Sequence, residues 1–228
     1  MATIIPALNT TQISTLSSAA LAGLTTEDWS AFSTAQMAAL TATQAPFITR
    51  SGIEVFNSAQ FNALGTSQFA VFTSSQVSAI TSTQTDTITT DDLAAFSGTA
   101  IKGLSTDALA ALDSAQIGAM GTNQVAALTT RQITSLGSSD LNALTTEQFA
   151  VLTSAQVAVI TSDQADAMTT ADLAAISATA TRALGTAALS VLDSAQFNAL
   201  TTAQFAVLTS TQAAAITSVN NFLFFLGG

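Results

Sequence analysis

Apolar residues recur along this chain at spacings of three and then five. From Asn9 onward, every block of eight residues opens on Ser, Thr, Asn, Asp or Gly and closes on Leu, Ile, Phe or Met. The fifth position is usually apolar, as at Ile13, Trp29, Phe61, Leu93 and Phe149, and the seventh is usually small. We number the blocks so that octad k spans residues 8k + 1 to 8k + 8. Octad 1 reads NTTQISTL, and octad 26, residues 209–216, reads TSTQAAAI, with no insertion or deletion between them. The fourth position is Gln in 16 of the 26 octads and Asp at Asp28, Asp92, Asp140 and Asp172.

This pattern predicts a row of very short helices. The residues at the first position are those preferred at a helix N-cap, where a side-chain oxygen accepts from an otherwise orphaned N–H. Gln three residues later can reach back to the cap's own N–H and close a capping box. Positions five and eight lie three residues apart and share one helical face. A single continuous helix does not fit, because an apolar repeat averaging four residues would spiral around a 3.6-residue helix. A β-solenoid fits less well, since Ala, Gln and Leu favour helix and strict alternation is missing. Helices of about five to seven residues are unstable alone, because helix nucleation is costly. They must stack, so the predicted fold is all-α, an α-solenoid of short capped helices with two octads per coil turn.

A longer period lies over the octad. Residues 65–96 and 145–176 match octad by octad, so the super-repeat is ten octads long. The expected organisation is an N-terminal segment 1–8, a solenoid 9–216 and an apolar C-terminal segment 217–228. Within the solenoid, 9–56 is a partial super-repeat, and 57–136 and 137–216 are full ones. Asp86 and Lys102 occupy sixth positions two octads apart, as do Asp166 and Arg182. Two octads per turn would bring each pair together. Pro46 and Gly52 interrupt the pattern within 41–56, marking either a kink or, preferably, a degenerate repeat.

Composition then narrows the chemistry. The chain has 228 residues, 48% hydrophobic and only 8% charged, with a net charge of −10 and no His or Cys. His-based triads, Cys nucleophiles and the commonest zinc sites are therefore excluded, and no cofactor is expected. An acidic chain lacks the basic footprint for nucleic acid. Without a long apolar run no membrane insertion is expected, and the N-terminus is not an ordinary secretory signal. Asp91 beside Asp92, and Glu27 beside Asp28, lack the spacing of a calcium loop, which leaves weak surface calcium binding as the only metal chemistry to consider. Capping already explains the Ser and Thr rows, which makes ice binding a weaker reading. Trp29, at a fifth position, is expected in the core.

The motif T-T-x-Q-φ-x-x-L, as in TTEQFAVL and TTAQFAVL, resembles the octapeptide arrays of large secreted or surface proteins of proteobacteria. The resemblance covers nearly the whole chain. It implies an extracellular or cell-surface location and a structural or adhesive role, and it supplies no catalytic residues. The expected function is a non-enzymatic, self-assembling subunit of a filament or surface layer, with a monomeric adhesion or binding solenoid as the alternative. Apolar residues at the two ends, Ile4, Ile5 and Leu8 at one and Phe222, Leu223, Phe224, Phe225 and Leu226 at the other, are the expected interface of a head-to-tail homopolymer.

Overall fold

The computed structural model describes residues 3–216. Helices of four to six residues follow one another in register with the octads, from Thr10–Ser14 to Thr202–Ala206, and residues 210–216 are helical as well. Short 3-10 turns occur at Ile5–Ala7 and Ala45–Phe47, and no strand is present among the described residues. The all-α solenoid expected from the octads is therefore the fold.

Octad 4 shows how the local chemistry makes each element. Ser33 is extended, with φ −77° and ψ 160°, and its hydroxyl accepts from the Gln36 N–H. The Ser33 N–H donates back to Gln36 Oε1 at 2.8 Å, which closes the box. Helix Thr34–Ala39 then ends at Leu40, extended at φ −62° and ψ 134°, whose N–H donates to the Met37 carbonyl. The extended first and eighth residues turn the chain between helices. None of the described residues has a positive φ, so these corners do not need glycine. Where the cap is Gly, half of the box survives: the N–H groups of Gly65 and Gly121 still donate to Gln68 and Gln124 Oε1, at 3.1 and 2.7 Å.

Two compact units divide the chain, Met1–Met120 and Gly121–Gly228, and the packing rule is the same inside each. Each helix lies against the helix three octads on. Thr10–Ser14 meets Thr34–Ala39, Thr66–Phe69 meets Thr90–Ala95, and Thr146–Ala150 meets Thr170–Ala175. A turn thus takes three octads rather than the expected two. A helix of four to six residues is only about 6–9 Å long, and three such sides let the fifth and eighth side chains converge on a core inside each unit. Ile13, Leu21, Phe61, Phe69 and Phe149 are completely buried there. The correction extends to the charges. Octads two apart do not lie over one another, and neither Asp86–Lys102 nor Asp166–Arg182 forms an ion pair. Among the described residues the one ion pair is Arg50–Glu54, at 3.5 Å and about half exposed, which contributes little to stability.

The octads at 41–56 keep their register. Pro46 converts the helix of octad 5 to the 3-10 turn Ala45–Phe47, while the Thr41 N–H still donates to Gln44 Oε1 at 2.9 Å. Gly52 has a different cause. It stands where other octads carry Gln, and a Cβ there would meet the Trp29 indole at 2.7 Å. Trp29, three octads earlier, is fully buried, stacked on Phe32 at 5.1 Å and edge-on to Phe56 at 5.8 Å. The indole fills the room that a fourth-position side chain would take.

This pairing generates a double-mutant prediction. Gly52→Ala alone forces the ring or the backbone to move and should cost about 1–3 kcal/mol in urea unfolding. In a Trp29→Leu background the same change should cost well under half of that, because the atoms it strikes are gone. Equal costs in the two backgrounds would show that the indole is not what demands glycine.

Candidate functional site

Gln at the fourth position has a second role that capping does not account for. Its Oε1 faces the cap of its own helix, but its Nε2 points inward to the octad four blocks earlier. Gln36 Nε2 donates to the Ile5 and Leu8 carbonyls at 2.8 and 2.7 Å. Gln84 reaches Ile53 and Phe56 at 2.7 and 2.9 Å, and Gln164 reaches Ile133 and Leu136 at 2.9 and 2.8 Å. The acceptors in these octads are 31 and 28 places back, the fifth and eighth of their octad. Gln44, Gln76, Gln116, Gln156 and Gln204 follow the same rule, whereas Gln60 and Gln212 reach residues 30 and 28 places back and Gln68 bonds Leu40, 28 back. These side chains are buried, Gln84 and Gln204 to 1% exposure. A primary amide suits the place because it offers two donors and a two-lone-pair acceptor. Glu could cap but not donate, and it occurs at none of the fourth positions.

A second set of links runs forward. Asn62 and Asn142, at sixth positions, donate through Nδ2 to the carbonyls of Thr87 and Ala167 three octads on. Where Gln or Asn stands at these positions, a turn is tied to its neighbour by side chain to backbone bonds as well as by apolar packing. Sequence reading found the Gln period and assigned it to capping. The long-range half was illegible without knowing which octad lies beneath which.

The expected interface residues fall in contrasting places. Ile4 is 70% exposed, whereas Ile5 is 1% exposed and sits in the core of the first turn, and Leu8 is half-buried. Residues 222–226 lie outside the described residues. What the sequence did not single out is the apolar face formed by the fifth positions of octads 24 to 26. Phe197 is half-buried, Phe205 is 37% exposed and Ala213 is exposed, although the fifth positions of earlier octads are closed. Phe197 and Phe205 meet edge-on at 5.0 Å. With Leu208, Ala213 and Ile216 they line a cavity of about 150 Å³. With a period of three, octads 24 to 26 make up one turn, the last among the described residues.

Charged groups are dispersed. No group of three or more His, Cys, Asp or Glu side chains gathers as a metal site among the described residues. Asp91 is exposed and Asp92 is buried. Nor is any helix among the described residues long and apolar enough to cross a membrane.

The two roles of Gln can be separated by mutation. Gln84→Ala removes the bond from the Thr81 N–H and strands two buried carbonyls, and should cost about 2–4 kcal/mol in chemical denaturation. Gln12, in octad 1, is exposed and accepts only from its cap, the Asn9 N–H, at 2.9 Å. Gln12→Ala should therefore cost about 1 kcal/mol or less. Similar losses would mean that the long-range donors add nothing to capping.

Comparison with known proteins agrees with this repeat geometry. No curated protein matches the chain. The ALTTAQ repeat matches it five times, over residues 5–42, 86–122, 109–138, 133–170 and 165–202, together more than half of its length. The chain belongs to the ALTTAQ repeat family.

Proposed function

We propose that this protein is a non-enzymatic structural protein, a self-assembling subunit of an extracellular filament or surface layer. The observation that carries the reading is the apolar face of octads 24 to 26, with Phe197, Phe205 and Ala213 uncovered. Inside the coil the same positions are closed by the next turn, and every turn is built on the same plan. The surface that fits this face best is therefore another turn of the same kind. Covering what remains exposed of the two rings would contribute about 1 kcal/mol or less each, since Phe197 is already half-buried and Phe205 is 37% exposed. The two ends of such a coil differ, so joining them is a heterologous contact, which propagates as a filament unless it closes into a ring. The apolar run Phe222, Leu223, Phe224, Phe225 and Leu226 follows this face in the sequence and is assigned to the same joint, against the first octads of a neighbour. With a net charge of −10, like subunits repel one another, so assembly should strengthen as salt screens that charge. The extracellular or surface location rests on the resemblance to secreted octapeptide arrays.

One observation favours a second reading, a monomeric adhesion or binding solenoid. Phe47, Val55 and Val71, all at seventh positions, are 41, 38 and 38% exposed on the side of the coil. A partner bound there would engage the side and not the end.

Sedimentation and negative-stain microscopy distinguish the two. The full chain should form elongated particles that grow with concentration, and both Phe205→Asp and deletion of residues 221–228 should shorten them. A monodisperse monomer at high concentration would overturn the assembly reading. Undiminished polymers from both variants would move the joint to the side of the coil.

A further inference from the structure

Of the 16 Gln side chains at fourth positions, 15 are buried and Gln12 is exposed. Octads 11 to 13 and 21 to 23 have no Gln there and carry Asp92, Ala100 and Ala108, and Asp172, Ala180 and Ala188. Gln12 keeps the capping half of the role, with Oε1 accepting from the Asn9 N–H, but its Nε2 donates to none of the described residues. The forward-reaching Asn side chains show the same contrast. Asn62 and Asn142 donate to carbonyls 25 places on, those of Thr87 and Ala167. Asn198, at the sixth position of octad 24, is exposed and donates to none of the described residues.

Open acceptors stand beside both donors. In octad 0, residues 1–8, the Ile5 and Leu8 carbonyls accept from Gln36, so this segment is in register with the octads. The Ile5 carbonyl also accepts from the Leu8 N–H at 3.1 Å. Octad 24 repeats this arrangement without the amide: the Phe197 carbonyl accepts from the Leu200 N–H at 3.1 Å, and the Leu200 carbonyl accepts from none of the described residues. The Ala7 carbonyl also accepts from none of them.

We infer that a second copy of this chain pairs these groups: its octad 0 stacks on octad 24, its Gln12 donates to the Phe197 and Leu200 carbonyls, and Asn198 donates to its Ala7 carbonyl. The inference rests on the assembly proposed above and gives that assembly a register. With the neighbour's octad 0 in the place after octad 26, the residues 31 and 28 places back from its Gln12 are Phe197 and Leu200, the offsets at which Gln36 and Gln84 bond. The residue 25 places on from Asn198 is then the neighbour's Ala7, the offset at which Asn62 bonds. Apolar packing alone would not choose a rotation, because three octads make a turn and each offers a fifth and an eighth position. A neighbour turned by one octad would give Gln12 other carbonyls but leave Asn198 without Ala7. The two amides together therefore select one rotation, since a buried donor or acceptor left unpaired is costly.

The test measures, by sedimentation, the concentration at which polymer forms for wild type, Gln12→Glu, Asn198→Asp and Asn123→Asp. The first two variants keep the size of the side chain but remove its donor. Asn123 is exposed at a third position, and its variant shows what one added negative charge does by itself. Gln12→Glu and Asn198→Asp should each raise the midpoint at least about tenfold beyond Asn123→Asp. The chain has no cysteine, so the register can also be read by cross-linking. Mixed Ala7→Cys and Ala199→Cys proteins, changed at the seventh positions of the two octads that should stack, should be joined as unlike pairs by a short bifunctional maleimide. Ala7→Cys mixed with Val207→Cys, one octad further on, should couple far less. A wild type that stays monomeric would remove the assembly reading and this register together. Two results would leave the assembly standing and overturn the register: midpoints for Gln12→Glu and Asn198→Asp no higher than for Asn123→Asp, or coupling of Ala7→Cys to Val207→Cys in preference to Ala199→Cys.

Discussion

The buried glutamine amide is the constraint around which the coil is organised. A fourth-position side chain in the interior must satisfy three polar atoms or groups, because an unpaired buried donor or acceptor is costly. Gln does so with its own cap N–H on one side and two carbonyls of an earlier octad on the other, as Gln84 does with Thr81, Ile53 and Phe56. Because the side chain has one length and the carbonyls have one spacing, these bonds are all made only if octad k lies over octad k−4 while its helix touches octad k−3. The number of octads per turn follows from that geometry. Departures at the fourth position are absorbed locally: Gly52 leaves room for Trp29, and octad 12 lies against octad 9 at Gly103, where a Cβ would meet the Ser74 backbone.

The same constraint shapes how stability is distributed. Each octad helix is too short to persist alone, so its capping box and its neighbours above and below must all be present together. Gln-bridged turns combine hydrogen bonds with apolar contact, whereas the Gln-free turns rely on apolar packing and one buried aspartate each. A coil made from nearly identical turns in this way is therefore not uniform. It alternates between directional and non-directional cohesion with the ten-octad period of the sequence. The face of octads 24 to 26 belongs to the same logic. Phe197 and Phe205 stand at fifth positions, which are buried in every earlier octad, and here they are half-buried and 37% exposed.

Much of this was legible in the residues themselves. Caps at the first position, apolar residues at the fifth and eighth, and Gln at the fourth are local signals, set by helix geometry over a few residues, so element type and register could be read directly. So could the burial of Trp29. Even the 3-10 turn at Pro46 keeps the octad register, because its cap bond from Thr41 to Gln44 is local.

Tertiary structure decided what depends on residues some thirty positions apart. The sequence is compatible with two or three octads per turn, since either buries the same positions. The choice is made by the reach of the Gln side chain and the width of a core that must hold two side chains from every octad. For the same reason the Asp86–Lys102 and Asp166–Arg182 pairs, plausible with two octads per turn, do not form. Asp28 and Asp92 occupy the same octad position, yet one caps its helix in solvent and the other is buried. Only the stacking of octads separates them.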